Sequence, residues 1–572
     1  MKPKKYLLLP LSLLVLVTTT PINASLLNSK SITQPVLGKD GMVVTQHFLA
    51  TEIGSEVLLN GGNAFDASIA VAFALAVVLP RAGNIGGGGF MVLYDESSNS
   101  FEALDYRERA PEKSYKEMFL NQDGTMNGDI STIGYKSIAV PGTVHGMWAI
   151  HKRYGTLSWK SLIDPAINLA REGFRITPMM ADTLNENYDK LSKFESTKKI
   201  FLSQKPMEFG ILLKQPDLAN TLEIISIDGV DGFYQGKVAQ KITSEMKKNG
   251  GLISLKDLKK YRSVWRKPLI GDYKNFKIVT MPPPSSGGIH IIQMLNILNH
   301  FSLPDLKHNS PEYSLLLAEI MKYAYADRSK YLADPDFEKV PVEYLISSKY
   351  SQEIASRISV GSYTNSDLIA PGIAASHESL DTTHFSIADQ YGNLVSNTYT
   401  INSTYGSKVV IEGTGILMNN EMDDFSAAPG IPNQFGLLGD ESNEIEPFKR
   451  PLSSMSPTII FDMNKPFMVT GSPGGSKIIT AVLQNILNVI EFDMEISDAI
   501  STPRIHHQWK PDVLSLEYGF DETHAQSISK LGQPIIFEEP GTSLEAIMIR
   551  NNIFYGYGDT RRPDSKAIGV NQ

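Results

Sequence analysis

Asp381-Thr382-Thr383-His384-Phe385-Ser386-Ile387-Ala388-Asp389-Gln390-Tyr391-Gly392-Asn393-Leu394-Val395-Ser396-Asn397-Thr398-Tyr399-Thr400-Ile401-Asn402 is the stretch whose reading decides the fold. From Thr382 the residues alternate: His384, Ser386 and Ala388 fall on one face of a strand, Phe385 and Ile387 on the other. Asp389 to Asn393 supplies turn residues and Leu394 to Ile401 alternates again, so the pattern predicts a β-hairpin whose first strand starts at a threonine. Just ahead, residues 368–379 contain Gly, Pro and Ser without a sustained period, which predicts an exposed connector.

Thr382 has two readings. Threonine is β-branched and fits strands, so it can be a plain strand residue. Alternatively it becomes a chain terminus. A hydroxyl is a weak nucleophile until a base removes its proton, and a free α-amine on the same residue, with a pKa of about 8, can be that base at neutral pH.

The 572 residues carry a formal charge of −9 and are 42% hydrophobic, which describes a globular chain with ample core and argues against a nucleic-acid partner. Lys2, Lys4 and Lys5, then the apolar Tyr6 to Val17, then small residues before Ser25 read as a secretory signal cleaved near Ala24. Its apolar part is too short to span a bilayer. The absence of cysteine excludes disulfides, thiolate metal sites and a catalytic thiol.

Ala64 to Leu79 is apolar without a polar face and contains Asp66, which predicts a buried helix rather than a membrane segment. Gly83-Asn84-Ile85-Gly86-Gly87-Gly88-Gly89-Phe90 follows. No Gly-Lys-Ser/Thr comes after it, and the order is helix, loop, strand, so close backbone packing is expected rather than a phosphate loop. A strand from Phe101 to Tyr106 ends at Arg107, where a planar guanidinium can take a carboxylate. Helices are expected over Ile289 to His300 and Pro311 to Ala333, and a mobile loop or lid over residues 429–450. Strand Phe467 to Thr470 leads through Gly471-Ser472-Pro473-Gly474-Gly475-Ser476 into a helix marked by Ile479, Val482, Leu483, Ile486, Leu487 and Ile490. Glycines at a helix N-terminus present backbone N–H groups to an anion, either a phosphate or the oxyanion of an acyl transfer. His377-Glu378 with His384 lacks the zinc-protease spacing, His506-His507 has no matching third ligand, and no Gly-x-Ser-x-Gly elbow occurs.

Nine stretches, in order, resemble the γ-glutamyltranspeptidase (γ-glutamyltransferase) family over nearly the whole mature chain. They are residues 61–67 (Gly-Gly-Asn-Ala-Phe-Asp-Ala), 84–90, 105–108 (Asp-Tyr-Arg-Glu), 281–288 (Met-Pro-Pro-Pro-Ser-Ser-Gly-Gly), 325–329 (Tyr-Ala-Asp-Arg-Ser), 382–386, 419–425 (Asn-Asn-Glu-Met-Asp-Asp-Phe), 450–457 and 471–475. The resemblance implies an α/β N-terminal-nucleophile fold, a four-layer αββα sandwich. It implies a precursor that cuts its own Asp381–Thr382 bond into a large subunit, 25–381, and a small one, 382–572, that stay together after loss of the signal peptide 1–24. It further implies Thr382 as nucleophile, Thr400 orienting its hydroxyl, and Gly474 and Gly475 as the oxyanion hole. Arg107, Ser453 and Ser454 would hold the donor's α-carboxylate; Asn402, Glu421 and Asp424 would hold its α-ammonium. Glu421 stands where many bacterial members have Gln, and Phe435 where an aromatic lid residue, often Tyr, is common.

The expected activity is transfer or hydrolysis of the γ-glutamyl group of glutathione and related amides, with no metal or organic cofactor, in a periplasmic or secreted protein. Two rivals stand beside it: an amidase of the same fold such as a cephalosporin acylase, and an exported solute-binding protein in which Thr382 is only a strand residue.

Overall fold

The computed structural model describes residues 27, 31–369, 382–427, 433, 434, 437 and 439–571. The signal segment, Asp381 with most of the connector, and Phe435 lie outside the described residues.

Strand β1 (Gly41–Thr45) leads into helix α1 (Phe48–Leu59). Asn63 then caps α2 (Ala64–Val78): its side chain accepts from the Asp66 N–H while the Asp66 carboxylate accepts from the Asn63 N–H. Every residue of α2 is buried, as a helix apolar on all sides requires. Asp66 is tolerated because its carboxylate also accepts from the Thr156 N–H and hydroxyl and the Leu157 N–H. The glycine run is a packing device. A Cβ on Gly87 would lie 2.1 Å from the Thr400 carbonyl oxygen, and one on Gly89 2.4 Å from Tyr399 Cβ.

The chain continues through β2 (Gly88–Asp95), β3 (Ser100–Asp105), α3 (Gly287–Leu298) and α4 (Pro311–Tyr331). Beyond the connector come β4 (Thr383–Asp389), β5 (Leu394–Thr400), β6 (Thr458–Asp462), β7 (Lys465–Thr470) and α5 (Lys477–Ile490). The hairpin is present, its first strand beginning at Thr383 so that Thr382 is the residue just ahead of it. Its turn is held by the buried Asp389 carboxylate, which accepts from the Tyr391 N–H, the Asn393 N–H and side-chain amide, and the Ala64 N–H that opens α2.

Two seven-stranded sheets result. One has the order Lys566–Val570, β1, β4, β5, β2, β3, Val264–Arg266; the other runs Val36–Gly38, Ile553–Gly558, Glu545–Arg550, β7, β6, Phe276–Thr280, Leu269–Tyr273. Neighbours in both are antiparallel. Alternation along the strands sorts side chains between two cores. Met42, Val44, Ala388 and Leu394 share one with Ile278, Ile459 and Met468 of the facing sheet. Val43, Phe385, Ile387 and Val395 share the other with α1 and α2. With α3 on the far side of the second sheet and α4 and α5 beside it, the layers are αββα. Both hairpin strands are therefore buried on both faces. Their polar positions bridge the sheets: Ser386 Oγ donates to the Glu545 carbonyl at 2.8 Å and Ser396 Oγ to the Thr470 carbonyl at 2.9 Å. Each sheet draws strands from both sides of Thr382. Among the described residues no helix is long and apolar enough to cross a membrane.

Removing the Asp66 carboxylate takes the acceptor from three backbone N–H donors, the buried one of Asn63 and the partly buried ones of Thr156 and Leu157. Asp66→Ala is expected to lower the unfolding free energy by about 3 kcal/mol, read as a fall in the urea midpoint at unchanged slope.

Candidate active site

Thr382 reaches the site because the strand it precedes lies in the middle of its sheet, beside β5. The Thr382 hydroxyl stands 3.4 Å from Thr400 Oγ1, at the end of β5, and Thr400 Oγ1 in turn accepts from the Asn402 N–H at 2.8 Å. Asn402 adopts φ 74°, a left-handed turn that swings its side chain to donate to the Asn420 carbonyl at 3.1 Å. Both threonines are buried at the wall of one small cavity.

That cavity, about 30 Å³, gathers most of the residues named from the sequence: Arg107, Thr382, Thr400, Asn402, Glu421 and Asp424, with Ser453, Ser454 and Gly475. Gly474 is adjacent in the chain but does not line it. A larger cavity of about 500 Å³ lies elsewhere, between Trp148, Tyr234 and Trp265. Its lining includes none of the residues named from the sequence, and the smaller one gathers most of them.

Arg107 follows β3, where the Asp105 carboxylate accepts from the Arg107 N–H at 2.9 Å. Its side chain is buried and its guanidinium is heavily committed. Nη1 donates to Glu421, Nη2 donates to Asp424 and to the Leu452 carbonyl, and Nε donates to the Pro451 carbonyl. Glu108 lies 3.6 Å away. The groups expected to grip opposite ends of a substrate thus grip each other. Burial pushes the Glu421 carboxyl well above its usual range and raises that of Asp424, with Arg107 pulling both back down. Burial raises Asp423 to about 6, while the Ser131 hydroxyl and the Gln434 N–H donate to it.

The two serines play different parts. Ser453 Oγ accepts from the Met455 N–H at 3.2 Å, and Ser454 Oγ accepts from Arg328 Nη2 at 3.2 Å. Across from them, Gly474 and Gly475 have φ +128° and +54°, a conformation suited to glycine. A Cβ on Gly474 would lie 2.6 Å from Thr542 Cγ2. The Gly474 and Gly475 carbonyls accept the first N–H bonds of α5, and Tyr325 donates its hydroxyl to the Ser476 carbonyl. The glycines therefore sit at a helix N-terminus braced by α4.

Arg328 and Glu108 carry charge into this site and drew no role from sequence reasoning. Arg328 belongs to Tyr325-Ala326-Asp327-Arg328-Ser329, one of the stretches that carry the family resemblance, and its side chain is buried on α4. His506 and His507 are buried, which holds both rings well below their usual pKa; they bond to Thr480 and Asp512.

Glu108 yields a pH signature. Burial, opposed by Arg107, raises its carboxyl to about 7. A raised carboxyl favours the folded state in its protonated form, so this contribution is complete below about pH 4.5 and lost as the pH rises through about 7. Glu108→Gln mimics the protonated form. It is expected to be more stable than wild type by about 1–3 kcal/mol at pH 8, with the gain vanishing near pH 4, in paired denaturant titrations.

Comparison with known proteins places this geometry. The Gamma-glutamyltranspeptidase family model matches residues 50–569. The glutathione hydrolase proenzyme of Escherichia coli (strain K12) is 44% identical over 543 residues, 94% of this chain and 93% of that protein. A crystal structure of Helicobacter pylori gamma-glutamyltranspeptidase is 45% identical, with a TM-score of 0.56 over 60% of this chain and 97% of that one. The cephalosporin acylase of Bacillus halodurans superimposes with a TM-score of 0.85 at 26% identity, covering 95% of this chain and 98% of its own. The chain belongs to the γ-glutamyltranspeptidase family.

Proposed function

We propose that this protein is an exported γ-glutamyltransferase and glutathione hydrolase that matures by cutting its own Asp381–Thr382 bond. The observation that carries the reading is the pairing of the Thr382 hydroxyl with Thr400 at the wall of a cavity that also holds a buried cation, Arg107, and the carboxylates Glu421 and Asp424. A γ-glutamyl group is a zwitterion attached through its side chain, so both signs are needed at its far end.

Cleavage ahead of Thr382 frees its α-amine. That amine takes the hydroxyl proton as Oγ attacks the γ-carbonyl, with Thr400 orienting the hydroxyl. Negative charge develops on the carbonyl oxygen, and the Gly474 and Gly475 N–H groups at the N-terminus of α5 are its proposed donors. Collapse expels the amine of the leaving group, which receives the proton, and leaves a γ-glutamyl ester on Thr382. Water or an acceptor amine resolves the ester. In the donor, Asn402, Glu421 and Asp424 hold the ammonium; Arg107, Ser453 and Ser454 hold the carboxylate. Residues 1–24 as a signal peptide, 25–381 and 382–572 as paired subunits, and a periplasmic address complete the proposal. The shared sheets support association after cleavage, since neither half could leave without breaking both.

The acylase reading is disfavoured by the two carboxylates: a glutaryl side chain brings no ammonium to balance them. Assaying γ-glutamyl-p-nitroanilide beside glutaryl amides separates the two, and preference for the glutaryl amide would reverse the assignment.

Thr382→Ala is expected to remain one uncut polypeptide after signal removal and to turn over no donor, whereas wild type gives two fragments, the smaller beginning at Thr382. Intact mass and N-terminal sequencing read the first outcome, and turnover by the variant would exclude Thr382 as nucleophile. Asp424→Ala, assayed as matured enzyme, is expected to raise the donor KM about 10- to 100-fold. An unchanged KM would remove Asp424 from the ammonium site.

A further inference from the structure

Arg107 has five N–H donors, and at least four are committed to Pro451, Leu452, Glu421 and Asp424. A guanidinium shared among two carboxylates and two carbonyls can take a further anion only as those acids turn to an incoming ammonium. A second buried cation stands on the same cavity. Arg328, 5% exposed, donates from Nη2 to Ser454 Oγ at 3.2 Å and from Nε to Ser286 Oγ at 3.1 Å. Its charge also reaches Asp424.

The direction of the Arg328–Ser454 bond matters. A guanidinium can only donate, so Ser454 Oγ must accept, and its own proton is left to donate elsewhere. Ser454 lines the cavity, where the acceptor that a γ-glutamyl donor brings is its α-carboxylate. A hydroxyl that accepts from a cation is polarised into a better donor. Helix α4 is fixed at this point twice. Tyr325, one turn earlier on the same face, donates to the Ser476 carbonyl beside Gly475, and Ser286 anchors Nε at the start of α3.

We propose that Arg328 is a specificity-determining residue for the donor's α-carboxylate, supplying a second positive charge and aiming the Ser454 hydroxyl at it. This rests on the γ-glutamyl reading of the site. Recognition of the carboxylate is then divided between Arg107, which bonds to Glu421 and Asp424, and Arg328, which bonds to Ser454 and Ser286.

The test compares matured wild type, Arg328→Gln, Arg328→Lys, Ser454→Ala and the double variant on two donors. One is γ-glutamyl-p-nitroanilide; the other is 4-aminobutyryl-p-nitroanilide, which keeps the ammonium and lacks the α-carboxylate. Arg328→Gln is expected to raise KM for the first about 10- to 100-fold, mainly without loss of kcat, and to leave kcat/KM for the second near wild type. Adding Ser454→Ala is expected to cost little more, because both changes remove one interaction. Equal losses on the two donors, or additive effects in the double variant, would assign Arg328 to structure alone and overturn the proposal. If Arg328→Gln does not mature, Arg328→Lys, which keeps the charge but loses the two-point contact, carries the same comparison. Wild type inactive on γ-glutamyl-p-nitroanilide would instead overturn the functional reading on which the proposal rests.

Discussion

A buried guanidinium must be neutralised where it lies, and Arg107 imposes that condition on two distant segments. Leaving such a charge unpaired in the interior is far more destabilising than never burying it. The end of β3 therefore sets Arg107 through Asp105, residues 421–424 bring two carboxylates to it, and residues 451–452 turn two carbonyls toward it. Removing any one contributor leaves the others with uncompensated charge or polarity. The walls of the cavity are thus fixed by the requirement that fixes Arg107.

The frame behind this cluster was largely legible in the sequence. Period-2 alternation from Thr383 to Thr400 gives a hairpin whatever surrounds it, and Asp389-Gln390-Tyr391-Gly392-Asn393 contains the turn chemistry that the structure uses. Helix α2 could be placed because fifteen residues without a polar face have nowhere to go except the interior. Alternation does not disclose what covers the polar face. Ser386 and Ser396 read like residues turned to water, yet they lie between two sheets, and what satisfies them is carbonyls from Glu545 and Thr470, remote in sequence. Helix ends moved by up to two residues from their expected positions, as for α3, which begins at Gly287 rather than Ile289 because two glycines in its first turn carry no apolar period.

The site was legible as a set of residues and not as a set of bonds. Residue type and resemblance brought Arg107, Asn402, Glu421, Asp424, Ser453 and Ser454 to one place, and the structure puts all six on one cavity. Which of them touch is a matter of distance and dielectric, which sequence spacing does not encode. Arg328 is the clearest case. In the sequence it is one more arginine near the end of a long helix, where a cation suits the helix dipole; only the packing of α4 against residues 453–455 and α3 gives it two hydroxyls to bond. Glu108 was hidden for the same reason, since its charge state depends on burial beside Arg107.

A site whose opposite charges already pair with one another selects its ligand by exchange. On the proposed reading, a zwitterion offers an ammonium to Glu421 and Asp424 and a carboxylate to Arg107, Ser453 and Ser454. Each internal ion pair is then replaced by an external one and the buried charge stays balanced. A ligand with only a carboxylate displaces the acids from Arg107 without giving them a partner, and one with only an ammonium leaves Arg107 short of its counter-charge. Either mismatch buries an uncompensated ion, a penalty of several kcal/mol. Discrimination of this kind requires no close steric fit to the rest of the molecule, because it is enforced by what a wrong ligand strands rather than by what the right one gains. On the same reading the zwitterionic end carries the selectivity, and the leaving group beyond the Thr382 hydroxyl adds no charge that the site must balance.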